Sequence, residues 1–145
     1  MNCENLGPIF DKYPTEELYS YVIDHYSDVK KDNIKSYMAL NNFDLLIVYK
    51  NNVKELFDVY NGYRRYIPYE TDALTEEEHR KEFPRLLNKM IHRKNISQKE
   101  FAEKLGITNT MVSRYLSGKS LPGYSLLKKM AKVLDCTVDD LYLNF

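Results

Sequence analysis

The chain has 145 residues, 43% of them hydrophobic and 29% charged, which is typical of a folded protein of one ordinary domain or two small ones. No stretch approaches the run of about 18 apolar residues that a membrane span needs, and the N-terminus lacks a secretory signal, so we expect a cytoplasmic protein without a membrane partner. Cys3 and Cys136 are too far apart in the sequence to suggest a disulfide framework or a metal site.

The formal net charge of zero conceals a segregation of the two signs. Residues 1–79 carry 8 Lys and Arg against 15 Asp and Glu, a net charge of −7, whereas residues 80–145 carry 13 against 6, a net charge of +7. Ten of the 13 tyrosines also lie in the acidic half. This asymmetry predicts an acidic domain over residues 1–75 and a basic domain over residues 76–145, the second being a candidate for binding nucleic acid.

The acidic half combines helical and strand patterns. An apolar stripe after Thr15 predicts a helix over residues 15–26, whereas residues 28–41 fit no period. Short apolar runs separated by Asn-rich or Asn-Gly turns predict an antiparallel meander, with Pro68 closing an edge strand. Its strands are placed at about 43–50, 53–60 and 63–68. The middle run also matches helical spacing, so a helix over these residues remains an alternative. The expected fold class is α+β.

A helix is expected to lead into the basic half. Thr75 and Glu78 have the spacing of a capping box, in which a hydroxyl and a carboxylate satisfy the first backbone N–H groups of a helix. Pro84 lacks an N–H and restricts the residue before it. We therefore predict a break or kink at Pro84 and a fresh helix over about residues 84–93.

Residues 97–119, SQKEFAEKLGITNTMVSRYLSGK, predict two helices separated by a very short turn. Ser97 and Glu100 form a second capping box, and Gly106 allows the left-handed conformation that ends a helix. Thr108 can cap the next helix, and Ala102 leaves room for two helices to approach closely. This spacing is typical of a helix-turn-helix.

The second of these helices has an apolar side and a hydrogen-bonding side. Val112, Tyr115 and Leu116 face inward when the sequence is placed on a helix. The opposite side carries groups that can pair with base edges in a DNA major groove, since Asn matches adenine, Arg matches guanine and a Thr methyl matches thymine. These candidate base-reading residues are Asn109, Thr110, Ser113 and Arg114.

Small hydroxyls, backbone N–H groups and a lysine in residues 117–120 are suited to holding phosphates. We assign Ser117 and Lys119 to the DNA backbone on this ground, together with Thr108 at the exposed start of the helix. Amphipathic segments follow over residues 124–134 and 137–141, which completes an all-α domain of five short helices.

The combined pattern resembles the Cro and lambda-repressor type of DNA-binding domain, the XRE family, over residues 83–143. The matching residues are Arg85-Leu86, Ile96 to Glu100, Ala102, Leu105 to Ile107, Val112 to Tyr115, Ser117 to Lys119 and Leu134 through Leu141. The resemblance implies that the helix after Thr108 is the recognition helix. It also implies a phosphate contact for Gln98 and places Lys119 near the DNA backbone.

We therefore expect a transcription regulator, of phage or prophage repressor type, that binds a palindromic operator in double-stranded DNA as a homodimer. The acidic domain is expected to dimerise or to bind another protein. No catalytic set, metal cluster or cofactor loop is visible in the sequence, so we predict neither enzyme activity nor a cofactor. The alternative is an antitoxin or inhibitor whose N-terminal domain binds another protein while the helix-turn-helix regulates its own gene.

Overall fold

A computed structural model describes residues 15–40, 42–67 and 76–142. These residues fall into two compact units, a sheet unit over residues 15–67 and a helical unit over residues 76–142. The predicted domain boundary at residues 75 and 76, the cap at Thr75 and the strand end at Pro68 involve residues outside the described part of the chain. The α+β class expected from the sequence is confirmed.

The sheet unit has one α-helix and one antiparallel sheet. Its elements are α1 (Thr15–His25), a 3-10 turn (Lys31–Asn33), β1 (Ile34–Ala39), β2 (Leu45–Tyr49), β3 (Lys54–Asp58) and β4 (Tyr63–Ile67). The strands lie side by side in the order β1-β2-β3-β4, with every neighbouring pair antiparallel. The predicted helix and meander are confirmed, and the run that also matched helical spacing is the strand β3.

Strand β1 is the element that the sequence pattern did not predict. It is an edge strand in which only Ala39 is fully buried, and its register with β2 is irregular between Ile34 and Ser36. An irregular register shifts side chains between the two faces of a sheet, which removes the alternation that marks a strand in a sequence. The chain from 34 to 39 therefore gains its strand conformation from pairing with β2.

The core of the sheet unit forms where α1 packs on the sheet. Leu18 and Val22, four residues apart and therefore on one side of α1, are completely buried. Across from them, alternate residues of the strands point to the same face, among them Leu45, Ile47 and Phe57, which are also completely buried. Helix and sheet thus bury a shared apolar layer.

A polar network centred on Arg64 joins three parts of the sheet unit. The two terminal nitrogens of Arg64 donate to the two carboxylate oxygens of Asp28 at 3.0 and 2.8 Å, and its Nε donates to Glu55 at 2.9 Å. The guanidinium also lies 5.1 Å from the centre of the Tyr26 ring, within the range of a cation–π contact. One side chain on β4 therefore holds β3 and the chain after α1 together.

The helical unit consists of five helices, as predicted. They are α2 (Glu76–Lys94), α3 (Gln98–Leu105), α4 (Asn109–Leu116), α5 (Tyr124–Val133) and α6 (Val138–Leu141). Their buried side chains form one apolar cluster that includes Phe83, Leu87, Phe101, Val112, Met130 and Leu141. This core positions α3 and α4.

The fresh helix predicted from residue 84 is wrong, because α2 runs without interruption from Glu76 to Lys94 and contains Pro84. A proline inside a helix leaves the carbonyl four residues earlier, here that of Arg80, without its usual N–H donor. The helix nevertheless continues, since Phe83 and Leu87 on either side of Pro84 are anchored in the core. Tertiary packing therefore overrides the local cost of the proline.

Candidate nucleic-acid interface

The predicted caps of the helix-turn-helix are confirmed. At the start of α3, Ser97 Oγ accepts from the backbone N–H of Glu100 at 3.0 Å, and the Glu100 carboxylate accepts from the N–H of Ser97 at 3.3 Å. Gly106 ends α3 with a φ of 73°. Thr108 Oγ1 accepts from the N–H of Met111 at 3.1 Å and begins α4. Side chains thus cap the starts of α3 and α4, and the left-handed Gly106 ends α3 between them.

The packing of α3 against α4 depends on a small residue. Ala102 is 3% exposed, and its backbone carbonyl accepts from the N–H of Ile107 in the turn. From α4, Val112 and Tyr115 are buried in the same core cluster, and Leu116 packs against that cluster while partly buried. With these side chains held inward, the opposite side of α4 has to face away from the core.

The structure brings the four predicted base-reading residues together on that outward side. Asn109, Thr110, Ser113 and Arg114 are all exposed, as is the neighbouring Ser117. Arg114 donates from Nε to Ser120 Oγ at 3.2 Å, which leaves the two terminal nitrogens of its guanidinium at the exposed end of the side chain. An exposed row of amide, hydroxyl and guanidinium groups can form hydrogen bonds to base edges in a major groove.

Gln98 ties the start of α3 to the exposed side of α4. Its amide nitrogen lies 2.9 Å from Asn109 Oδ1, 2.7 Å from Ser113 Oγ and 3.3 Å from the Asn109 carbonyl oxygen. Two N–H groups thus serve three acceptors between the helices. The resemblance implied only a phosphate contact for Gln98, whereas this geometry also lets it orient two of the candidate base-reading side chains.

The turn after α4 is held by its own backbone hydrogen bonds. The N–H groups of Lys119 and Ser120 donate to the carbonyl of Arg114 at 3.0 and 3.4 Å, and that of Gly118 donates to Tyr115 at 3.3 Å. These N–H groups therefore close the end of α4, contrary to the expectation that they would hold a phosphate. The exposed side chains of Ser117 and Lys119 remain as the candidates for that contact.

Gly118 has a structural role that the sequence analysis missed. Its φ is 77°, and a Cβ at this position would lie 2.8 Å from the carbonyl oxygen of Arg80 and 3.5 Å from Cγ of Pro84. The carbonyl that Pro84 leaves without a helical donor is thus the one that Gly118 approaches. The sequence signal was present as a proline and a glycine, but their 34-residue separation gave no reason to connect them.

The stretch of sequence that contains α4 carries no acidic side chain. From residue 104 to residue 134 the sequence contains six Lys and Arg and no Asp or Glu. Among the described residues, Arg114 has no carboxylate within ion-pair distance, its hydrogen bond to Ser120 being the contact that its side chain makes. A cationic segment without acids of its own favours the approach of a polyanion.

Other kinds of site find little support in the structure. Within residues 15–40, 42–67 and 76–142, no group of three or more His, Cys, Asp or Glu side chains could hold a metal ion. Burial raises the pKa of the Cys136 thiol to about 12, so this side chain behaves as a small core residue beside α6. The described helices include none that is long and apolar enough to cross a membrane.

Comparison with known proteins supports a nucleic-acid interface. Residues 88–141 match the Helix-turn-helix family, in agreement with the resemblance expected from the sequence. The chain is also similar to an HTH-type transcriptional activator, BcrR, from Enterococcus faecalis, with 35% identity over 60 residues. That alignment covers 41% of this chain and 29% of the relative. The segment that matches the family lies within the helical unit and includes α3 and α4.

Proposed function

We propose that this protein is a sequence-specific DNA-binding transcription regulator that acts as a repressor. The observation that carries the proposal is the exposed side of α4, where Asn109, Thr110, Ser113 and Arg114 stand together in an acid-free part of the chain. In this proposal α4 enters the major groove and these side chains contact base edges. Thr108, Ser117 and Lys119 contact the DNA backbone. On binding, Gln98 turns one of the N–H groups that orient Asn109 and Ser113 toward a phosphate.

Dimerisation is the second part of the proposal. A single small helical unit makes few base contacts, and two-fold symmetric proteins obtain affinity by binding two half-sites about one helical turn apart. The sheet unit offers exposed apolar side chains on both edge strands, since Met38 on β1 is 54% exposed and Tyr66 on β4 is 62% exposed. Apolar side chains on open sheet edges are suited to pairing with a second copy.

Selection of bound DNA from a random duplex pool, with the full chain, tests sequence specificity and symmetry together. A palindrome with half-sites about ten base pairs apart is expected if the protein binds as a dimer. A single half-site would remove the dimer from the proposal, as would sedimentation as a monomer both alone and on the selected DNA. Failure to enrich any sequence would remove specific DNA binding.

Repression is inferred from the resemblance to Cro and lambda-repressor domains, whereas the Enterococcus faecalis relative is named an activator. A reporter gene with the selected site over its promoter decides between repression and activation. The rival function, an antitoxin or inhibitor, predicts a second protein that co-purifies in a fixed ratio and is lost on disruption of the sheet unit. Purification of the full chain from its native cells would reveal such a partner.

A further inference from the structure

One end of the sheet unit carries a concentration of positive charge that the acidic average of its half of the chain conceals. Residues 30–36 and 50–54 contain five lysines and one acid, Asp32. All five lysines are exposed. We call this set the lysine end; its members are Lys30, Lys31, Lys35, Lys50 and Lys54.

The fold brings these two sequence segments together. Ile34 at the start of β1 pairs with Tyr49 at the end of β2, and the N–H of Lys50 donates to the carbonyl of Asn33 at 2.8 Å. Lys35 Nζ donates to Asn52 Oδ1 at 3.3 Å across the same end. Lys54, the first residue of β3, pairs with Val48 near the end of β2. Antiparallel pairing thus gathers lysines that lie up to 24 residues apart.

Nearby carboxylates do little to neutralise the lysine end. Asp28 and Glu55, which flank it in the sequence, both accept hydrogen bonds from Arg64. The Glu55 carboxylate additionally accepts from the Tyr49 hydroxyl at 2.8 Å. Arg64 offsets one of these two negative charges. The five lysines and Arg64 together outweigh Asp28, Asp32 and Glu55 by six charges to three, so the lysine end retains a net positive charge toward solvent.

The last strand of the sheet unit, after which the sequence leads to α2, also ends at the lysine end. Ile67, the last residue of β4, pairs with Lys54. Eight residues, 68–75, separate β4 from α2 in the sequence, and a chain of that length extends over at most about 30 Å. That length corresponds to about nine base pairs of duplex DNA.

We infer that the lysine end is a second DNA-binding surface, which contacts the phosphate backbone beside the site read by α4. This inference rests on the proposed DNA-binding function and extends it to the sheet unit. Flexible, exposed lysines interleaved with the amide side chains of Asn33, Asn51 and Asn52 are suited to sequence-independent phosphate contacts. The expected partner is the flanking duplex, which such contacts bind without reading its bases.

The test compares two duplexes, the selected site alone and the same site with about ten extra base pairs, one helical turn, on each side. Wild-type protein is expected to bind the longer duplex on the order of tenfold more tightly at 0.1 M salt or below. A variant with Lys30→Gln, Lys31→Gln and Lys50→Gln should lose this gain and show a smaller salt dependence on the longer duplex. Its affinity for the shorter duplex should be nearly unchanged.

The matched control removes the same charge from the exposed side chains of α5, with Lys128→Gln, Lys129→Gln and Lys132→Gln. It should keep the gain from flanking DNA, and thermal unfolding checks that both variants fold. A gain retained in the Lys30, Lys31 and Lys50 variant overturns the inference, as does an equal loss in the control. Tighter binding by the first variant also overturns it.

The two proposals fail in distinguishable ways. If wild-type protein enriches no sequence from the random pool, the proposed function fails. If wild-type protein binds a selected site but flanking DNA adds no affinity, only the inference about the lysine end fails. An acidic protein that binds wild-type protein but not the Lys30, Lys31 and Lys50 variant, with the DNA results equal for both, would replace DNA as the partner of this surface.

Discussion

Arg64 in the sheet unit and Arg114 in the helical unit show how the same side chain can serve two purposes. Arg64 meets two carboxylates and the face of Tyr26, so its charge and all three of its nitrogens are used inside the protein. Arg114 is exposed and bonds a single hydroxyl, in a stretch of sequence without acids. A charge that is matched within the fold contributes stability, whereas one held at the surface without a counter-charge is available to a ligand.

The same contrast holds for the two units as wholes. The Arg64 network lies inside the sheet unit, while Asn109, Thr110 and Ser113 of the helical unit project from a core that does not need them. Substitutions in the sheet unit's network should therefore change stability, and substitutions on the outer side of α4 should change binding. The following predictions test this division, from the largest expected effect to the smallest.

The largest effect is expected for Ala102→Glu, which places a carboxylate where α3 meets α4. Burying a charge without a partner should cost about 3–5 kcal/mol, unfolding the helical unit or separating its helices. Thermal unfolding of the full chain measures the loss. Lys104→Glu, on the exposed side of α3, introduces the same group as a control and should melt nearly as wild type does. Equal melting of the Ala102 variant and wild type would contradict the packing described here.

Arg64→Ala should destabilise the sheet unit by about 2–3 kcal/mol, because it leaves Glu55 partly buried without its cation and removes the pair with Asp28. Chemical denaturation monitored by tyrosine fluorescence measures the change. Arg64→Lys keeps the charge but loses the bidentate geometry, so its free energy of unfolding should lie between those of wild type and Arg64→Ala. Affinity for short operator DNA should be unchanged, and a clear loss of affinity would break the proposed division between stability and binding.

Arg114→Ala should cost about 1–3 kcal/mol of operator binding and relax discrimination at one base pair. Binding to the selected operator and to each single-base variant of it gives both quantities. Thermal stability should remain close to that of wild type, since the side chain is exposed. A uniform loss over all sequences would reduce Arg114 to a phosphate contact.

Lys119→Ala should weaken binding by a similar factor for every sequence, by about 1 kcal/mol or less. The slope of log affinity against log salt should decrease by about one, as expected for a single lost phosphate contact. Titrations at several salt concentrations, with operator and with unrelated DNA, measure both the affinity and its salt dependence. An unchanged slope would place Lys119 away from the DNA backbone.

The smallest effect concerns acid stability of the sheet unit. The hydrogen bond from Arg64 holds the pKa of Asp28 below its ordinary value. A lowered carboxyl pKa contributes stability that is complete above the unfolded value of about 4 and is lost as the pH falls through the lower folded value. The difference in unfolding free energy between wild type and Asp28→Asn should therefore be present at neutral pH and decrease as the pH falls below about 4. Because Asp28 is exposed, solvent screening keeps this difference small.

Local sequence signals predicted most features of the helical unit. The Ser97–Glu100 box, Gly106 and the cap at Thr108 each act within four residues, so their geometry follows from nearby backbone groups alone. The residues on the outward side of α4 could be predicted equally well, since the start of a helix determines which side chains lie on the same side. The contacts of the base-reading residues with DNA remain predictions that the experiments above address.

What the sequence by itself determined were the features that depend on neighbours along the chain, namely the helix caps, the meander and the polar side of α4. Tertiary structure decided the features that depend on distant neighbours. Strand β1 exists through its pairing with β2, Gly118 packs against the carbonyl that Pro84 leaves without a donor, and Gln98 reaches Ser113 on the next helix. The lysine end likewise exists only once the strands pair. The physical reason is that close approach between remote segments is set by packing of the core, which no local spacing records.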